Sequence, residues 1–286
     1  MIMSIVMKGL EVARAMKEKL QGEVLALKES GIIPHLAIVR VGARPDDLAY
    51  ERGAKKRMDI IGIKCTVFEI PEDIDQKLFE LEFEKINSNP EIHGILLFRP
   101  LPKHLNEEPL KRLINPLKDV DSMSPVNAAK VFSGDPSGFA PCTPEALMEI
   151  LDYYNIDLTG KKVVVLGRSM VVGKPLSMLL LKKNATVTIC HTKTKNLEKV
   201  CREAEILVAA AGKAKMVNEF MIGEGAIVID VGINVDEEGN LCGDVDYKNV
   251  EGKTSYITPV PGGVGSVTSS VLAKNVIVAA KCLNHI

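Results

Sequence analysis

The sequence predicts an α/β fold in two domains: an N-terminal substrate domain and a Rossmann-type parallel-sheet nucleotide domain, with the C-terminal helix returning to the first. Three observations carry this. Apolar runs alternate with segments of helical period along the chain, among them HLAIVRV at 35–41, GILLF at 94–98, ATVTIC at 185–190, ILVAAAG at 206–212 and AIVIDVGIN at 226–234. Such alternation builds βαβ units and a parallel sheet. The stretch KKVVVLGRSMVVGKP at 161–175 puts a buried strand, a tight polar turn and the apolar helix LSMLLLKK in that order, the first half of a βαβ unit. Finally, 286 residues suffice for two ordinary domains.

Taken in order, the start MIMSIVMKGL reads as a short strand entering an amphipathic helix, with Lys8 and Arg14 breaking any signal-peptide core. From Gly9 to Ser30, apolar residues recur at three- and four-residue steps until Gly31 stops the helix. After the strand at 35–41, Asp46 or Asp47 is expected to cap a helix running to Ile61, with Gly62 as its stop. Strand 64–69, helix 73–87, strand 94–98, a short helix over 105–114 and a polar loop at 118–125 follow. Thr143 and Pro144 then read as N-cap and first-turn residue of a helix reaching Tyr154. The domain junction is placed here, giving a substrate domain over 1–143 plus 267–286 and a nucleotide domain over 144–266. The ligand cleft is expected between them, at the C-terminal ends of both sets of strands.

Composition excludes several classes. A net charge of −1 offers no basic surplus for nucleic acid. No apolar run reaches the ~18 residues of a membrane span. The six cysteines form no C-x-x-C pair and the five histidines show no ligand spacing, so reduced thiols and no metal site are expected. A cytoplasmic setting is the corresponding expectation.

The turn after the strand at 163–167 carries Gly167, Arg168, Ser169, Val172 and Gly173. The N–H groups opening the next helix suit a phosphate. At the end of the following strand, where a carboxylate would accept the adenine ribose 2′-OH, the chain has His191, Thr192, Lys193 and Thr194. A cationic, hydroxylated rim with Arg168 nearby favours a 2′-phosphate, hence NADP over NAD, with NAD as the alternative.

Several separated stretches resemble the methylenetetrahydrofolate dehydrogenase/methenyltetrahydrofolate cyclohydrolase family. They are the Tyr50 helix, GILL and PLP within 94–102, KDVD at 118–121, PCTP at 141–144, GRSMVVGKP at 167–175, VIDVGIN at 228–234 and TPVPGGVG at 258–265. The resemblance implies a two-domain α/β chain, paired as a homodimer, that binds NADP or NAD and oxidises methylenetetrahydrofolate to the methenyl form. Most members then hydrolyse that product to formyltetrahydrofolate. It implies that Asp121 holds the pterin, that Tyr50 stacks on the folate, and that Gly167, Arg168, Ser169, Val172, Thr192 and Ile233 contact the nucleotide. Leu97, Phe98, Arg99 and the Pro261, Gly262, Gly263, Val264, Gly265 loop complete the implied substrate site.

The departures bear on function. The family's substrate helix carries Y-x-x-x-K, and its lysine serves the cyclohydrolase; four residues after Tyr50 this chain has Ala54. Lys55 and Lys56 are rotated about 100° and 200° from that position. The family's strand-end glutamine is Phe98 here, followed by Arg99, and KDVDG and GGVGPMT read KDVDS and GGVGSVT. Hydride loss from the methylene carbon needs positioning and no general acid. Hydrolysis needs a placed acid/base, which typically contributes ~10²–10⁴-fold. Alanine and phenylalanine side chains supply neither proton nor hydrogen bond. The expectation is a dehydrogenase with weak or absent cyclohydrolase activity. The alternatives are the usual bifunctional enzyme, with Lys55, Lys56 or Arg99 as surrogate, and a non-catalytic folate- or nucleotide-binding paralogue.

Overall fold

The computed structural model describes residues 3–286. In chain order the elements are β1 (Ile5–Val6), α1 (Gly9–Glu29), β2 (His35–Val41), α2 (Pro45–Ile61), β3 (Lys64–Ile70), α3 (Gln76–Ser88) and β4 (Gly94–Leu97). Next come α4 (Glu108–Leu113), α5 (Pro125–Ser133), α6 (Cys142–Tyr153), β5 (Lys162–Leu166), α7 (Gly173–Lys182) and β6 (Thr186–Cys190). The chain closes with α8 (Leu197–Arg202), β7 (Ile206–Ala209), β8 (Ile227–Asp230), β9 (Asn234–Val235), β10 (Leu241–Cys242), α9 (Tyr247–Val250), β11 (Tyr256–Ile257) and α10 (Thr268–Leu283).

Two compact units divide the chain: one takes the chain up to Arg14 with Thr143–Thr268, the other Ala15–Cys142 with Ser269–Ile286. This division differs from the expected one over the first fourteen residues. The cause is β1, whose Ile5 and Val6 pair in parallel with Tyr256 and Ile257.

The nucleotide-type unit holds a six-stranded parallel sheet in the order β1-β11-β8-β7-β5-β6. From β5 the chain steps to β6 on one side and then to β7 on the other, so a topological switch point lies at the end of β5. One face of the sheet buries Val164, Leu166, Leu207, Ala209, Val228 and Ile257. β9 and β10 form a separate antiparallel hairpin. The sequence reading did not anticipate it, because two-residue strands are too short to show a period.

The other unit has a parallel sheet ordered β3-β2-β4. Phe79 and Phe83 of α3 pack on Val39, Ile95 and Leu97 in its core. From Ser269 onward α10 belongs to this unit, tied by Asn275 Nδ2 donating to the Val120 carbonyl at 3.0 Å and by the Lys281–Glu23 pair at 2.6 Å.

Several expected boundaries move for identifiable reasons. Neither Asp46 nor Asp47 caps α2: Arg44 is the N-cap residue, Pro45 opens the helix, and Asp47 receives two hydrogen bonds from the Arg44 guanidinium. Thr143 is not a cap either, since α6 already begins at Cys142. The expected loop at 118–125 gives way at its end to α5, where Ser124 accepts from the Asn127 N–H and Pro125 stands first in a helix for which the sequence carried no expectation. Gly62 ends α2 at φ +92°, as the glycine stop requires.

Candidate active site

The folate-side residues sit at the C-terminal end of β4 and on α2. Helix α2 buries Asp47, Glu51, Ala54, Met58 and Ile61. Its placement rests on Arg40, a buried arginine of β2 whose Nε donates to Glu51 at 2.8 Å and whose other nitrogens reach Glu69 and the Gly42 carbonyl. Arg40 was missed in the sequence; its one signal is a charge inside an otherwise apolar strand. Tyr50 stays 42% exposed on the same helix. Its ring meets Phe98 edge-on, centroids 5.6 Å apart and planes at 65°. Phe98 follows β4, its N–H bonded to the Val39 carbonyl. Ala54 and Phe98 are 1% and 7% exposed, while Lys55 and Lys56 are exposed on the far side of the helix. Neither lysine shares the face that Tyr50 and Ala54 occupy.

The KDVD stretch separates into framework and site. Lys118 is buried and donates to the Asn87 and Asn89 carbonyls, 2.7 Å each. Asp119 accepts from the Met123 and Ser124 N–H groups and from Asn127, and bridges to Ile95 beside β4. Asp121 is the member left partly open. Its Oδ1 accepts from the Cys142 N–H at 2.8 Å. Burial pushes its pKa up, opposed by the Cys142 hydrogen bonds and the charge of Arg99. One bonded oxygen leaves a carboxylate with further acceptor capacity, suited to an amino–imino edge. Leu97 is buried in β4, and Arg99 is partly exposed beyond it.

In the nucleotide-type unit, candidate residues gather at the ends of β5, β6, β8 and β11. Gly167 has φ +129°, and a Cβ there would lie 2.2 Å from the Ala210 carbonyl oxygen. A Cβ on Gly173 would meet the Gly167 carbonyl oxygen at 2.1 Å. Both positions therefore demand glycine. Ser169 Oγ accepts from the Val172 N–H at 3.1 Å, and Val172 is the N-cap residue of α7. Arg168 and Ser169 are exposed at the end of β5, and Thr192 and Lys193 are exposed at the end of the adjacent β6. No carboxylate stands between Cys190 and Lys195. These side chains fit a phosphate-bearing dinucleotide.

At the end of β8, Asp230 accepts from the N–H groups of Gly232, Asp244 and Val245. Asp244 accepts from Ala211, Gly212 and Lys213 N–H groups and from Asn234. The sequence reading missed this aspartate pair, which holds the β9–β10 hairpin against β8; the signal was VID followed by GDVD. It fixes the chain that leaves Ile233 69% exposed. Ile233 and Pro261–Gly265 line one cavity of about 210 Å³ with Asp230 and Leu241. Backbone conformation accounts for one glycine of that loop and close approach for another. Gly262 has φ +103°, and a Cβ on Gly263 would stand 2.4 Å from the Pro259 carbonyl oxygen. At Gly265 a Cβ meets only Ile233, at 3.8 Å.

Comparison with known proteins identifies the family. Residues 7–121 match the family "Tetrahydrofolate dehydrogenase/cyclohydrolase, catalytic domain", and residues 141–284 match its "NAD(P)-binding domain". The "Bifunctional protein FolD" of Clostridioides difficile is 61% identical over 280 residues, 98% of each chain. Among solved structures, the bifunctional FolD of Campylobacter jejuni superposes with a TM-score of 0.96 at 39% identity, covering 99% of this chain and 100% of that one. The Trypanosoma brucei methylenetetrahydrofolate dehydrogenase-cyclohydrolase, complexed with NADP and an inhibitor, gives a TM-score of 0.94 at 35% identity, with 100% of both chains covered. From strand-end aspartate to glycine turn, this chain belongs to the tetrahydrofolate dehydrogenase/cyclohydrolase family.

Proposed function

We propose that the protein oxidises methylenetetrahydrofolate to methenyltetrahydrofolate with NADP, and that it hydrolyses the methenyl product weakly or not at all. Family membership supports the oxidation. The NADP-bound trypanosomal relative and the exposed Arg168, Ser169, Thr192 and Lys193 support NADP. The single observation behind the limited hydrolysis is the buried pair Ala54 and Phe98, with Lys55 and Lys56 turned to solvent.

In this reading Asp121 orients the pterin and Tyr50 lies along the folate ring system. A substrate nitrogen lone pair expels the hydride, leaving a resonance-stabilised methenyl cation, so the chain's work is positioning. Gly167, Arg168, Ser169, Thr192 and Ile233 would hold NADP, which would supply the hydride acceptor. Water addition to the cation then requires removal of a proton and its delivery to the departing nitrogen. Neither Ala54 nor Phe98 moves a proton, and the ring of Phe98 packs against Tyr50.

The second reading is the conventional bifunctional enzyme, favoured by the similarity to the bifunctional C. difficile relative. Restoring the polar pair separates the two. Under the first reading, Ala54→Lys with Phe98→Gln raises methenyl hydrolysis at least tenfold while oxidation persists, followed by the decay of methenyl absorbance. No gain over a wild-type enzyme that already hydrolyses fast assigns hydrolysis to other residues and supports the second. A homodimer is part of the proposal, to be checked by light scattering.

A further inference from the structure

On the Tyr50 face of α2, one turn beyond Ala54, stands a cation that the sequence reading passed over. Arg57 is seven residues from Tyr50, which returns it to within about 20° of the same side of the helix. It is three residues from Ala54, which makes the two positions neighbours on the helix surface. Arg57 is partly buried. Its Nε donates to Ser269 Oγ at 3.4 Å, a long contact to a neutral group. The neighbouring arginines are neutralised: Arg40 by Glu51 and Glu69, Arg44 by Asp47. Among the described residues, Arg57 has no carboxylate at salt-bridge distance, and burial alone pulls its pKa down. A guanidinium withdrawn from water without a counter-charge is costly, and a ligand oxygen relieves that cost.

We propose that Arg57 is a substrate-binding residue, the fixed cation of the folate pocket, donating to an oxygen of bound tetrahydrofolate. The inference rests on the folate reading of the Tyr50 face. An arginine keeps its proton in proteins, so Arg57 adds charge without proton transfer. That matches an enzyme that binds folate and oxidises it but hydrolyses poorly. Acceptors of the required chemistry are the pterin carbonyl and, on the tail, the benzoyl amide carbonyl and the glutamate carboxylates.

The test is equilibrium binding of tetrahydrofolate and of tetrahydropterin, which lacks the tail, to the full-length protein. Arg57→Met keeps the packing volume, and Arg57→Lys keeps the charge. Arg57→Met is expected to weaken tetrahydrofolate binding about tenfold, with NADP affinity and thermal midpoint retained. An equal loss for tetrahydropterin places the contact on the pterin; a loss confined to tetrahydrofolate places it on the tail. Arg57→Lys is expected to restore most of the affinity below pH 8 and to lose it as pH approaches the lysine pKa, whereas wild-type binding stays flat. Unchanged tetrahydrofolate binding in Arg57→Met overturns the proposal, as does a parallel fall in NADP affinity and thermal midpoint. If the wild-type protein binds no tetrahydrofolate, the underlying folate reading fails instead.

Discussion

Ser122 adopts φ +54°, a backbone region that favours glycine. It follows Asp121, where the resembled family has glycine, so this loop carries local strain next to the pterin candidate. Ser122→Gly is expected to stabilise the protein by about 0.5–1 kcal/mol, measured as a shift of the urea midpoint. Ala54 and Phe98 show a different kind of departure. Both are buried apolar residues, and in the proposed function their effect falls on hydrolysis. Arg57 completes that picture by keeping charge on the helix face from which a proton-transferring group is absent.

At the scale of elements, the strand ends carry the site, and their supports can be tested apart from it. The loop after β11 contains glycines with different duties. A Cβ on Gly263 collides with backbone, so Gly263→Ala is expected to give little folded protein. At Gly265 the space is open, so Gly265→Ala is expected to fold normally and to raise the KM for folate or NADP severalfold. The aspartate pair behind the β9–β10 hairpin has a pH signature. Burial pushes the Asp230 pKa up to about 6, against the pull of the three N–H groups it accepts from, and Asp244 adds a like charge. A carboxyl raised in the folded state stabilises the fold when protonated. The contribution is complete below its unfolded value of 3.8 and is lost as pH rises through about 6. Between pH 5 and pH 7.5 it therefore takes away about 1.4 kcal/mol, a slope that Asp230→Asn removes in pH-dependent urea melts.

For the molecule as a whole, most of the plan was legible in the sequence. Apolar runs marked the longer strands because parallel strands bury both faces, as β2 and β5 do. Gly31 and Gly62 announced helix ends through their positive φ. Illegible parts were those set by contacts far apart in the chain. The pairing of Ile5 with Tyr256 moved the N-terminus out of its expected domain. The Arg40–Glu51 pair spans a strand and a helix, and the Asp230–Asp244 pair needs a hairpin to meet. At the candidate site, residue types in the sequence single out Asp121 and the Gly167–Ser169 turn, whose roles are part of the proposal. Helical spacing already set Lys55 and Lys56 apart from position 54; the structure adds that both are exposed while Arg57 is partly buried.

The proposal is that this chain keeps the oxidation and gives up most of the hydrolysis. A paired assay on one purified preparation tests it directly: NADPH formation from methylenetetrahydrofolate, and loss of methenyl absorbance above the uncatalysed rate. NADP-linked oxidation with accumulating methenyl product is the expected result. Methenyl loss as fast as oxidation would contradict it and return hydrolysis to a residue other than those at positions 54 and 98.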